Sequence, residues 1–256
     1  MIQPVRYAYA FLIALPLASC ANVQPTAPAY AEAAPSVSEV RFSQLSDTVW
    51  MHASFENISG FGLVRSNGLI VIDDENSMLV DTAWNDDQTK QIVEYAKSVL
   101  KRPVKMAVLT HAHSDKMGGV GALNAIGVKT YALDVSNRIA PSKGLTPATN
   151  DLVLKEGEAT TLGPIEIFYP GAGHTVDNIV VNIPTAGILF GGCLIRPGDT
   201  DNLGNTADGD VAHWGKAVAD TGAQFPISNI VVPSHGMPEG RELLAKTVQL
   251  AAAPLP

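Results

Sequence analysis

The 256-residue sequence predicts an α/β fold of four layers, two mixed β-sheets face to face with helices on both outer sides, an αββα sandwich. Short β-rich runs give way to segments of helical spacing, and this strands-then-helix plan is met twice along the chain. With 46% apolar residues, the chain is long enough for one large hydrophobic core. Spacing alone does not separate this layering from other α/β arrangements.

The elements follow in order. VRF, TVWMHAS, FGLVRS, GLIVID and SMLVDT, between residues 40 and 82, read as antiparallel hairpins punctuated by Gly, Asn and Asp. Asn85 and Asp86 can cap a helix with Ile92, Val93, Ala96, Val99 and Leu100 on one face, ending before Pro103. VKMAVLT is a strand, HAHSDK a polar loop, residues 118–126 a helix stopped by Gly127, and VKTYAL a strand. The second half brings strands at IEIFYP, NIVVNI and GILFGG, a helix around Val211, Trp214 and Val218, a strand SNIVVPS and a final helix from Glu239.

Residues 38–256 are expected to form this one domain. Before it, Arg6 and the short apolar run of residues 7–17 read as an export signal over residues 1–19, too short for the roughly 20 residues of a membrane span. Leu17-Ala18-Ser19-Cys20 resembles a bacterial lipobox, which makes Cys20 the lipidated first mature residue. Ala21 is not the Asp that retains lipoproteins at the inner membrane. The Ala/Pro-rich stretch of residues 20–37 is then a tether, and the expected location is the periplasm, anchored through outer-membrane lipid. The alternative is an ordinary signal cut near Ala21 that leaves a soluble periplasmic protein.

A formal charge of −8, with Lys and Arg scattered singly, provides no basic stripe for a phosphate backbone, so nucleic acid is excluded as a partner. Internal repeats, a full dinucleotide fingerprint and a phosphate-binding loop are absent from the sequence, and a monomer is expected. In the domain Cys193 is the sole cysteine. A lone thiol in an exported protein makes no internal disulfide and is buried, reactive or metal-bound.

Metal-type side chains stand just past predicted strands: His111, His113 and Asp115 after VKMAVLT, His174 after IEIFYP, Cys193 after ILFGG and His235 at the end of NIVVPS. Strand ends of one sandwich share an edge, so these six residues can converge there. In an extended H-x-H-x-D segment, alternate side chains point the same way, within reach of neighbouring metal ions. His52 and His213 fall within a strand and a helix pattern and read as packing or surface residues.

THAHSDKMGG, GAGHTVDN, GGCLI, LGN and VVPSHG, in this order, resemble the metallo-β-lactamases of subclass B1, over essentially the whole domain and the lipobox. The resemblance implies the αββα fold and two zinc ions, one on His111, His113 and His174 and one on Asp115, Cys193 and His235. It implies hydrolysis of the β-lactam amide of penicillins, cephalosporins and carbapenems by a zinc-bridging hydroxide, conferring antibiotic resistance. Lys116 and Cys193 stand where thioesterase, lactonase and nuclease relatives of the wider superfamily carry His and Asp. Asn205 is the expected oxyanion donor, Asp115 orients the attacking hydroxide, and Arg196 is the expected clamp for a substrate carboxylate. Residues 55–62 match a flap whose Phe55, Ile58 and Phe61 meet apolar substrate groups, with Glu56 weakening anionic ones. Trp84 lines the cleft floor and Asp81 supports the ligands from behind. A lactone- or thioester-cleaving hydrolase and a non-catalytic zinc-binding lipoprotein are the alternatives.

Overall fold

Alternation within single strands builds the layers. The computed structural model describes residues 34–253, so the expected signal, the lipidation site Cys20 and all but the last residues of the tether lie outside the described residues. Strands β1 (Val40–Ser46), β2 (Val49–Ile58), β3 (Gly62–Asp73), β4 (Asn76–Val80), β5 (Val104–Val108), β6 (Lys129–Leu133) and β7 (Asn150–Leu152) form a seven-stranded sheet in that order. Pairing is antiparallel from β1 to β4 and parallel from β4 to β7. The second sheet has the order β12-β11-β10-β9-β8, with β8 (Glu158–Leu162), β9 (Ile165–Tyr169), β10 (Val180–Ile183), β11 (Ile188–Gly192) and β12 (Ile230–Pro233).

Leu69, Val71, Met78 and Val80 of the first sheet pack against Ile167, Val181, Ile188, Phe190 and Val232 of the second. Their neighbours Ile70 and Leu79 turn the other way, onto Ile92 and Ala96 of α1 (Asp86–Ser98) and Leu123 of α3 (Val120–Ala125). On the far side, Val180, Leu189 and Val231 meet Trp214 and Val218 of α5 (Val211–Gln224) and Leu243 and Leu244 of α6 (Glu242–Ala252). Period-2 alternation thus gives each strand one face for the partner sheet and one for a helix. This is the predicted αββα sandwich.

Asn85 caps α1 as expected, its side chain accepting from the Gln88 N–H at 2.9 Å. Other boundaries differ. FGLVRS and GLIVID are one continuous strand because Gly68 does not break it: the His52 ring fills the space above it, 2.4 Å from where a Cβ would stand. The polar HAHSDK segment contains a short helix, α2 (Ser114–Met117). Helix α1 ends at Ser98, which leaves Val99 exposed rather than on the buried face. Glu239 does not start the last helix, since its backbone bridges to Val231 and α6 begins at Glu242. The polar strands β7 and β8 and the short helix α4 (Asp134–Ile139) have no apolar period and were not expected.

Candidate metal centre

Strands β4, β5, β9, β11 and β12 all point their C-terminal ends at one edge, and the segments that follow them build the site. Asn67 of β3 ties the sheets together there: its N–H donates to the Ser234 carbonyl at 2.8 Å, and its side-chain amide to the carbonyls of Pro233 at 2.8 Å and Gly236 at 2.7 Å.

All six predicted side chains converge. Donor atoms of His111, His174 and Cys193, of His111, His113 and Asp115, and of Asp115, Cys193 and His235 lie within 4.8 Å of one another. Within this cluster, His113 Nδ1 stands 3.2 Å from His111 Nε2 and 3.3 Å from His174 Nε2. Cys193 Sγ stands 3.4 Å from His235 Nε2 and 3.7 Å from Asp115 Oδ2, with 3.7 Å between the latter two. Nitrogen donors about 2.0 Å from a tetrahedral ion sit about 3.3 Å apart, and a nitrogen–sulfur pair about 3.5 Å apart, so both sets have zinc-like dimensions. Asp115 does not reach its place from an extended loop. His113 is extended, but the chain then turns into α2, whose first turn presents the carboxylate.

Hydrogen bonds on the far side of the rings aim lone pairs inward. His235 Nδ1 lies 2.6 Å from the Arg65 carbonyl, which only accepts, so Nδ1 carries the proton and Nε2 is bare. His113 Nε2 donates in the same way to Asp208 at 2.8 Å. Asp81 accepts the Thr110 N–H at 2.7 Å and its hydroxyl at 2.9 Å, which leaves the Thr110 oxygen as acceptor for His111 Nδ1 at 3.2 Å. Asp81 holds a left-handed backbone (φ +64°) to make this relay. His174 Nδ1, by contrast, is buried without a hydrogen-bond partner among the described residues.

Electrostatics fit a cation at this point. Burial lowers the His174 pKa to about 3 and that of His111 well below the ordinary imidazole range, so neutral rings offer their lone pairs. Burial, with Asp115 beside it, pushes the Cys193 thiol far above its usual range, and a thiolate there requires a positive partner. Burial would also raise Asp115, but Lys116, His235 and His111 outweigh it and hold the carboxylate well below its ordinary value.

A cavity of 420 Å³ opens over the cluster, lined by Ile58, Phe61, Val64, Trp84, Leu145, Lys143, Arg196 and Asn205. Two flap residues do not reach it. Phe55 is buried with the Arg41 guanidinium 5.8 Å from its ring, and Glu56 lines a neighbouring groove with Asn85 and Gln88. Phe61, at the turn between β2 and β3, is 65% exposed. Arg196 Nε donates to the Asn202 carbonyl at 3.1 Å and Nη2 to Thr200 at 3.4 Å, so its own loop holds the guanidinium at the rim. Sequence reasoning missed Asp208 and Lys143. The Lys143 ammonium and His113 both contact Asp208 Oδ2, and the only signal was an acidic residue in a Gly-rich loop.

The model of the metallo-beta-lactamase superfamily matches residues 61–235. The metallo-beta-lactamase type 2 of Bacteroides fragilis is 37% identical over 212 residues, 83% of this chain and 85% of that protein, and that of Bacillus cereus is 36% identical over 215 residues, 82% of each. Among solved structures, a metallo-beta-lactamase from Hirschia baltica superposes with a TM-score of 0.82 at 48% identity, covering 84% of this chain and 99% of that one. The mono-zinc form of FIM-1 from Pseudomonas aeruginosa gives 0.80 at 53% identity, covering 83% and 94%. With the donor cluster and sheet order described above, these likenesses place the chain in the metallo-β-lactamase family.

Proposed function

We propose that the chain is a dinuclear zinc hydrolase of subclass B1 that opens β-lactam rings. The observation that carries the reading is that His113 stands against both His111 and His174 beside the Asp115, Cys193 and His235 set, in a cleft also lined by Arg196 and Asn205. His111, His113 and His174 would hold one ion and Asp115, Cys193 and His235 the other. Zinc held there would supply Lewis acidity and make water available as a nucleophile near neutral pH.

The chain's own residues do the rest. Asn205 Oδ1 accepts the Ala207 N–H at 3.1 Å, which leaves its –NH₂ as the donor for a carbonyl oxygen that gains negative charge. Asp115 is surrounded by donors, with Ser66 Oγ at 3.1 Å and Lys116 Nζ at 3.1 Å from Oδ2. Held as a carboxylate, it orients an attacking water by accepting its proton in a hydrogen bond, rather than storing that proton. Ile58, Phe61 and Trp84 present apolar surface to ring substituents.

The side-chain hydrogen bonds of Arg196 use Nε and Nη2, which leaves Nη1 as the donor offered to a substrate carboxylate. Arg196→Ala raises KM for carboxylate-bearing substrates about tenfold with kcat little changed, the loss of one charge-assisted bond. Steady-state kinetics check this, and an unaltered KM removes the clamp.

The reading itself is tested by turnover of a penicillin, a cephalosporin and a carbapenem beside a lactone and a thioester, before and after chelation. The expected result is β-lactam hydrolysis lost with chelator, restored by zinc, and two zinc ions per chain by elemental analysis. Lactone or thioester turnover without ring opening would give the site to another hydrolysis, and bound zinc without any turnover to a binding protein.

A further inference from the structure

Four histidines enter the cluster, and three are fixed by a hydrogen bond to the nitrogen that faces away from it: His111 by Thr110, His113 by Asp208, His235 by the Arg65 carbonyl. His174 has none, its Nδ1 being buried and unpartnered among the described residues. What aims this ring is the contact with Trp214, centroids 5.6 Å apart at 68°, and the backbone of the turn that carries it. Anything that sets this turn therefore sets His174.

The turn over residues 171–174 is held from two sides. Asn178 binds it from one, its amide donating to the Gly171 carbonyl at 2.9 Å. The first turn of α5 binds it from the other, where the Asp210 N–H donates to the Gly173 carbonyl at 2.8 Å and the His213 Nδ1 to the Ala172 carbonyl at 2.7 Å. A carbonyl only accepts, so the proton on Nδ1 is fixed. A carboxylate oxygen likewise only accepts, so His213 Nε2 donates to Glu156 Oε1 at 3.1 Å, and the ring carries a proton on each nitrogen when it spans the two acceptors; Lys216 Nζ reaches the same oxygen at 3.1 Å and pairs in turn with Asp220. The approach is close: a Cβ on Gly171, at φ +91°, would stand 2.8 Å from both His213 and Glu156. His213 itself is anchored by the Asp210 carboxylate, which accepts its backbone N–H at 3.1 Å.

We propose that His213 is a positioning residue for the metal centre: pinned between Glu156 and the Ala172 carbonyl, it fixes the turn that aims His174 at the other two histidines. It substitutes, one step removed, for the bond that His174 Nδ1 lacks. The proposal rests on the zinc reading above, and its consequence is a loss of metal affinity at a distance from the ligands, without loss of fold. Outer groups that orient a metal ligand are commonly worth ten- to a hundredfold in affinity.

The test compares the native protein with His213→Ala, His213→Asn and Glu156→Gln by competition for zinc against a chromophoric chelator, with thermal unfolding of the metal-free proteins alongside. Asparagine keeps an N–H donor near the position of Nδ1, and Glu156→Gln keeps an oxygen acceptor at the half-exposed Glu156 position while removing the charge that His213 and Lys216 share. Expected is a rise of about tenfold in the zinc dissociation constant for His213→Ala, recovery to within about threefold in His213→Asn, and a rise of about threefold for Glu156→Gln. Melting temperatures of the metal-free Asn and Gln variants should match the native one. Native-like zinc affinity in His213→Ala overturns the proposal, as does an affinity loss in all three variants that merely tracks lower melting temperatures. A native protein that retains no zinc overturns the zinc reading instead, so the two failures are distinguishable.

Discussion

Replacing Lys116 by methionine lowers the unfolding free energy of the metal-free protein by about 3–5 kcal/mol, the cost of leaving buried carboxylates without their cation. Lys116 is fully buried, and its ammonium lies 3.1 Å from Asp115, 3.7 Å from Asp81, 2.7 Å from Ser66 Oγ and 3.2 Å from the Asn67 carbonyl. Burial works against its charge, but Asp115, held as a carboxylate, outweighs it with a smaller contribution from Asp81 and keeps the ammonium above its ordinary pKa. Methionine keeps the length of the stem and removes only the charge and its hydrogen bonds. Urea unfolding of the two metal-free proteins measures the difference. Zinc should recover part of it, because a positive charge then stands beside Asp115 in the variant as well. A difference below about 0.5 kcal/mol, the range of ordinary surface substitutions, would show that the carboxylates do not depend on Lys116.

Acid sensitivity provides the second large effect. His52 lies wholly inside the first sheet, and neither ring nitrogen has a hydrogen-bond partner among the described residues. Burial first, then the nearby Lys116, lowers its pKa from 6.5 to about 3. A base whose folded pKa is depressed binds its proton more readily when unfolded, so stability is retained above pH 6.5 and lost as pH falls toward 3. Each such group contributes about 1.4 kcal/mol per pH unit. By pH 5 the native protein should therefore lose about 2 kcal/mol more than His52→Leu does from pH 7. Urea unfolding at pH 7, 6 and 5 reads this directly, and parallel curves for the two proteins would mean that His52 is charged or solvated in the folded state.

Much of the site was legible because its signals are local. Each ligand follows an apolar run, and a run that ends in a histidine or cysteine places that residue at a strand end without any knowledge of the fold. The Asn85 cap and the alternation of Leu69, Ile70 and Val71 between two cores are equally local. What was illegible depends on distant partners. Nothing near Asp208 in sequence indicates that Lys143 and His113 meet it, and nothing near His52 indicates that Gly68 leaves room for its ring. Phe55 is aromatic and sits in the flap segment, yet strand alternation turns it under Arg41. Strands β7 and β8 lie toward sheet edges, where polar residues serve as well as apolar ones, so their sequences NDL and EATTL carry no period.

The strand directions also divide the molecule into a working end and an idle one. The turns at Asp74, Gly163 and Gly187 close the opposite ends of β3, β8 and β10, each with a positive φ, and none of the cluster or cleft residues belongs to them. Attachment chemistry, a fluorophore or a fused reporter placed at those turns would leave the cleft facing solution, so the chain can be fixed to a sensor surface in a single orientation. Variation confined to the other end, in the loops after β5, β9, β11 and β12, can change what the cleft accepts while the sandwich beneath stays the same.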